Sequence, residues 1–223
     1  MRRAVPLLGA IAVALSVGGP AAWSRPVHLA SAACSPAGSL TLERSRASRV
    51  YSLGGKAYAC LYSSGESYKL GSATLCIGAV RAGPFALAGG DVAYGATSCG
   101  IDFSTTEVIV RSLVSSRTLR KAPATNMSLG EQEGGLQSLV LKADGSDAWI
   151  ATEQSLGNKQ RLLQLFRDDK SGLKLLDSGL GVPPSSLRLH GSQLTWRHDG
   201  TSRHATLRSV SYTHLRAHET GRN

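Results

Sequence analysis

Cysteine is the residue type most clearly placed for chemistry in this sequence. Cys34, Cys60, Cys76 and Cys99 form an even set, all before residue 100. In an exported chain an even set reads as two disulfides. Four cysteines allow three pairings, and spacing does not choose among them. A hairpin expected over residues 85–94 favours Cys76 with Cys99, since its outer ends should lie near each other, and so Cys34 with Cys60. No Cys-x-x-Cys occurs, and no histidine stands at zinc-ligand spacing from a cysteine. A metal site is therefore not expected.

Carboxylates and histidines offer less. Asp144 and Asp147 flank Gly145–Ser146 in the manner of part of a calcium loop. Two carboxylates are too few for a cage of about six or more oxygens, so turn chemistry is the expectation. Asp168–Asp169 is expected to be a solvated turn. His198 and His204 flank Asp199–Gly200 and could face each other across a hairpin, with His190 nearby. Two imidazoles make an incomplete metal site. No nucleophile accompanies them, and there is no Gly-x-Ser-x-Gly, no phosphate loop and no His-Glu-x-x-His. No catalytic, cofactor-binding or metal-binding residue is assigned, and the chain is expected not to be an enzyme.

The elements that position these residues read as short strands. The chain has 223 residues, 42% hydrophobic and 5% aromatic, with 25 glycines. That mixture suits strands and tight turns better than a helical bundle. One pattern recurs. Ser138–Lys142 alternates, Asp144–Ser146 turns, and Ala148–Ile150 centres on Trp149. Ser186–His190, Gly191–Ser192 and Leu194–Trp196 repeat it. Phe85–Ala88, Gly89–Asp91 and Val92–Tyr94 form a third copy, and Val50–Leu53, Gly54–Gly55 and Lys56–Ala59 a fainter fourth. Period-two alternation places one face on a core, and glycine supplies the positive φ of a tight hairpin. The repeat anchors are Tyr58, Tyr94, Trp149 and Trp196, expected as core fillers. Further strand pairs are expected at 107–119 and 161–176, and an inserted polar loop at 121–135. Four short strands per 40–50 residues is the period of a propeller blade.

These hairpins, the aromatic on the second strand and the Asp168–Gly172 turn resemble the WD-repeat and TolB-like propeller superfamily over about residues 50–208. The similarity is to small exported bacterial propeller-like proteins without an assigned activity. Trp-Asp and Gly-His signatures are absent. The resemblance implies an all-β, propeller-like array of about four blades, truncated or irregular, that binds through its loop face. Ser39–Leu42 is suited to complete the last blade and close the ring. The alternative fold is a β-sandwich of the same strand count.

The ends differ from the body. Met1–Arg3 is basic, residues 4–17 are uncharged and mostly apolar, and Gly18–Pro20 follows. This is the form of a secretory signal, too short for a membrane span. Residues 1–32 are assigned to it, with Ala30–Ser31–Ala32 as one cleavage site and Gly19–Pro20–Ala21 as another, and 33–209 to the propeller-like domain. Residues 210–223 break the pattern and resemble a translated sequencing-adapter sequence, so a non-native tail is expected there. Both segments contribute to the formal net charge of +10. The remaining basic residues are scattered, with Arg117–Arg120–Lys121 the closest cluster, on an expected loop. Stacking aromatics do not interleave with them, so nucleic acid is not an expected partner.

The function expected is an exported binding or scaffolding module, secreted or at the exterior of the cell envelope. It is expected to be monomeric, without a membrane span once mature, and to take an unknown protein or polysaccharide ligand. The rival readings are an extracellular hydrolase on a propeller scaffold and an envelope protein lipid-anchored at Cys34.

Overall fold

The computed structural model describes residues 32–101, 103–126, 132–155 and 161–209. Expectations for the signal segment and the tail fall outside these residues. Fifteen strands follow a single turn of 3-10 helix at Ala32–Cys34. A first antiparallel meander comprises β1 (Leu40–Arg44), β2 (Ser48–Leu53), β3 (Lys56–Leu61) and β4 (Ser67–Ser72). A second comprises β5 (Arg81–Ala88), β6 (Asp91–Cys99), β7 (Ser104–Ser112) and β8 (Thr118–Pro123). The third is β9 (Gln132–Leu141), β10 (Asp147–Ser155), β11 (Arg161–Asp169) and β12 (Gly172–Ser178). The fourth has three strands, β13 (Arg188–His190), β14 (Gln193–His198) and β15 (Thr201–Thr206). Single parallel bridges join the first meander to the second (Ser72 with Arg81) and the second to the third (Ser104 with Glu133).

Alternation turns each meander into a two-faced sheet, and the faces bury one another in chain order. Val50, Ala57 and Leu61 of the first pack on Val92 and Tyr94 of the second. Val108 and Ala124 meet Leu136, Trp149 and Phe166 of the third. Ile150 and Leu165, on the third sheet's other face, meet Leu194 and Trp196 of the fourth. The third sheet is thus covered on both sides, which is why β10 reads as an almost unbroken buried run. The described residues are all-β, with sheets layered as in a sandwich and none closed into a barrel.

Several expectations are corrected here. Leu40–Arg44 does not complete the last sheet; it pairs with β2 through Leu40–Ser52 and Thr41–Tyr51. Arg49 holds it there. This guanidinium, 7% exposed, donates to Thr41 Oγ1 (2.9 Å), the Cys34 carbonyl (2.7 Å), Ser35 Oγ (3.0 Å) and Ser39 Oγ (3.2 Å). The loop expected at 121–135 is partly strand, since β8 runs to Pro123 and β9 begins at Gln132. The fainter hairpin copy is out of phase: it joins strands two and three of its meander, while the other three copies join strands one and two.

Candidate ligand-binding groove

β1, β5, β9 and β13 are the first strands of the four meanders. Each is hydrogen-bonded along one edge by the strand that follows it, and most of its other edge is unpaired among the described strands. These strands line one open groove of about 590 Å³. Glu43, Phe85, Leu87, Leu139, Arg188 and Leu189 contribute to its wall, drawn from all four meanders. Ser138 lies among them with its Oγ buried and without a hydrogen-bond partner. The volume falls within the range of ligand clefts, and apolar side chains share the wall with a comparable polar surface that includes Glu43 and Arg188. Unpaired strand edges add a row of backbone donors and acceptors that an extended chain could use.

The anchors distribute unequally. Tyr94, Trp149 and Trp196 are buried and each faces the preceding sheet. Trp149 donates its indole N–H to the Ala124 carbonyl (2.8 Å) and stacks on Phe166 at 5.6 Å. Tyr58 is not their equivalent, because of the phase slip. The matching second-strand residue is Tyr51, which stacks on Tyr58 at 5.4 Å over the outer face of the first sheet. Cys34–Cys60 and Cys76–Cys99 are bonded. The first seals that outer face, and the second ties the loop before β5 to the end of β6.

Two carboxylate groups are more buried than expected. Asp168 and Asp169 are strand residues at 8% and 1% exposure, and the turn lies beyond them at Lys170–Ser171. Asp168 takes an ion pair from Arg120 at 2.6 Å, and Asp169 accepts from Ser171 and from the Arg208 backbone N–H. The expected Arg117–Arg120–Lys121 loop cluster is dispersed by strand alternation, because β8 sends Arg120 to Asp168 and Lys121 to Glu107. Asp144 does have a turn role, accepting from the Ser146 N–H at 3.0 Å. Asp147 does not. It is 1% exposed, lies in register with Asp168 and leaves Oδ1 unpartnered. Burial pushes its carboxyl well above the usual range; Asp168 adds to this and Arg120 opposes it.

The histidines also separate. His198 pairs with Thr201 and His204 with Thr195, so they do not face each other. His198 instead donates Nδ1–H to Asp177 (2.8 Å), which also accepts from the Trp196 indole (2.6 Å) and Arg203 (2.9 Å). Asp177 is buried, yet these donors hold its carboxyl below the usual range against the cost of desolvation. Sequence spacing gave no sign of this cluster, because Asp177 reaches it from another sheet. Gly181 lies close beside it: a Cβ there would meet the Asp199 carboxylate, an exposed side chain that would have to turn aside.

No family model and no curated protein matches the chain. Among solved structures, the extracellular domain of BT4673 from B. thetaiotaomicron is similar at 11% identity and a TM-score of 0.27. The match covers 74% of this chain and 25% of that one, so the chain spans about a quarter of its length.

Proposed function

We propose that the chain is an exported binding or scaffolding module, not an enzyme, built as a propeller-like array. In this reading each meander is a blade and the first strands surround a common axis. The observation that carries it is the groove to which all four first strands contribute. Its mixed apolar and polar wall, single carboxylate (Glu43) and single guanidinium (Arg188) suit reversible contact with an extended peptide or glycan better than hydrolysis. The two disulfides fit an oxidising compartment outside the cytoplasm, secreted or at the envelope exterior. No helix among the described residues is long and apolar enough to cross a membrane.

Peptide and glycan arrays probed with the full chain identify a ligand, and covalent footprinting of the complex locates it. Protection of Glu43 and Phe85 is expected. Protection confined to the loops at either end, or cleavage of the ligand, overturns the reading.

A further inference from the structure

We propose that the outer face of the fourth sheet is a second binding site, for an acidic polysaccharide. The fourth sheet differs from the others in what its two faces carry. Alternation sends Leu189, Leu194, Trp196 and Ala205 inward against the third sheet. The opposite face is polar throughout. Arg188, Thr195 and His204 stand in register across the three strands, and Arg197 stands opposite Ser202. β13, β14 and β15 contain no aspartate or glutamate. Where sheets meet, polar groups are paired across the interface, as Asp177 is with Trp196, His198 and Arg203 and Asp168 with Arg120, whereas the arginines of this outer face have no such carboxylate among the described residues.

The face is hollowed as well as charged. A cavity of about 440 Å³ is walled by Ser185, Ser186, Arg188, Thr195, Arg197 and Ser202, with Pro183 and Trp196 completing the lining. Its arginines are held in two ways. Arg188 Nη1 donates to the carbonyls of Ser185 (2.6 Å) and Leu187 (2.8 Å), which fixes the guanidinium plane. The Arg197 backbone N–H donates to Ser186 Oγ (3.2 Å), which ties the Pro184–Ser186 turn to β14. No carboxylate among the described residues pairs with either guanidinium. Arginine recognises carboxylate and sulfate groups through paired N–H donors, and hydroxyl side chains match the alcohols of a sugar ring.

The same surface disfavours other polyanions. A lipid surface needs large exposed apolar anchors beside the cations, and the apolar residues at this cavity are Pro183, which is small, and Trp196, which is buried. Single-stranded nucleic acid needs exposed rings for stacking, whereas the Trp196 ring is 5% exposed and turned inward. The site is independent of the groove and shares only Arg188 with it.

The test uses the full chain with polygalacturonate oligosaccharides, and neutral dextran, single-stranded DNA and phosphatidylglycerol vesicles as comparisons. Polygalacturonate is expected to bind, more weakly as salt rises, and to protect Arg197 and His204 from chemical modification. Arg197→Ala should weaken it about tenfold, the loss of one charge-assisted contact. Lys69→Ala removes the same charge from the exposed surface of β4 and should leave binding unchanged. Both variants should melt with the parent. Failure of polygalacturonate to bind beyond dextran, an equal loss in Lys69→Ala, or equal binding of DNA or vesicles overturns the proposal.

Discussion

Buried aspartates of opposite character stand a few strands apart. Asp177 is held ionised by an indole, an imidazole and a guanidinium, and its folded carboxyl titrates below the unfolded value. It therefore stabilises the fold above the ordinary carboxylate range, and that contribution is lost as pH falls through its lowered value. Asp147 is the reverse. Its carboxyl is raised by burial and by Asp168, so its contribution is present at low pH and is lost as pH rises from the ordinary value toward the raised one. Asp177→Asn should cost about 2 to 3 kcal/mol at pH 7, and less at pH 3, because three donors lose their charged acceptor. Asp147→Asn should raise the melting temperature at pH 7 and leave it near the parent's at pH 3. Melts of both variants across this range check the two signs. An Asp147→Asn variant less stable than the parent at pH 7 contradicts the account. None of this was legible in the sequence. Asp168 looked like a turn residue because the strand carrying it runs three residues beyond its last apolar position, Phe166. Hydrophobic alternation marks where a strand faces the core, not where its backbone pairing stops.

At the scale of elements, the alternating hairpins were legible because side chains there answer only to a core face and a turn. Phe85 with Tyr94, Leu139 with Trp149 and Leu189 with Leu194 all pair as their patterns imply. The first meander misled because its β2–β3 turn, Gly54–Gly55, is the stronger hairpin signal, while β1 and β2 are joined through Ser45–Ala47 without glycine. β1 is held by the buried Arg49 rather than by its own apolar residues, and Leu40 and Leu42 are exposed. That long-range contact has no periodic signature. The groove was illegible for a related reason, since its lining comes from four strands far apart in the chain. Cys34–Cys60 fastens the segment that Arg49 grips, with a sequence separation of 26. Replacing both cysteines by serine should lower stability by about 3 kcal/mol and loosen residues 32–44 first. Calorimetry gives the magnitude, and proteolysis followed by mass spectrometry gives the place. Initial cleavage in the third sheet instead would show that the clamp is not local.

On the scale of the whole molecule, stability is passed from sheet to sheet. The third sheet is buried on both faces, whereas the fourth packs only on the third and has three strands. The sheet with the fewest packing partners opens at lower free energy than the rest. Amide hydrogens of β13–β15 should therefore exchange faster than those of β10 and β11. Trp196→Ala, which removes an indole from that interface, should deprotect the fourth sheet while leaving the first two protected. Native-state exchange read by mass spectrometry shows the order. Simultaneous release of all four sheets would mean that the array unfolds as one cooperative unit.

The outward faces of the first and fourth sheets are unlike. One shows stacked tyrosines sealed beneath a disulfide-fastened segment, and the other shows arginine, histidine and hydroxyl groups. Head-to-tail association of copies would set these two faces together. Arg188 and Arg197 would then face a surface closed by the segment that the buried Arg49 holds, with no aspartate or glutamate on β13, β14 or β15 to offset them. A stack of layered sheets is the shape most prone to grow into fibres by repeating its own packing. Here the dissimilar outer faces work against that growth, so sheets that layer within the chain are discouraged from layering between chains.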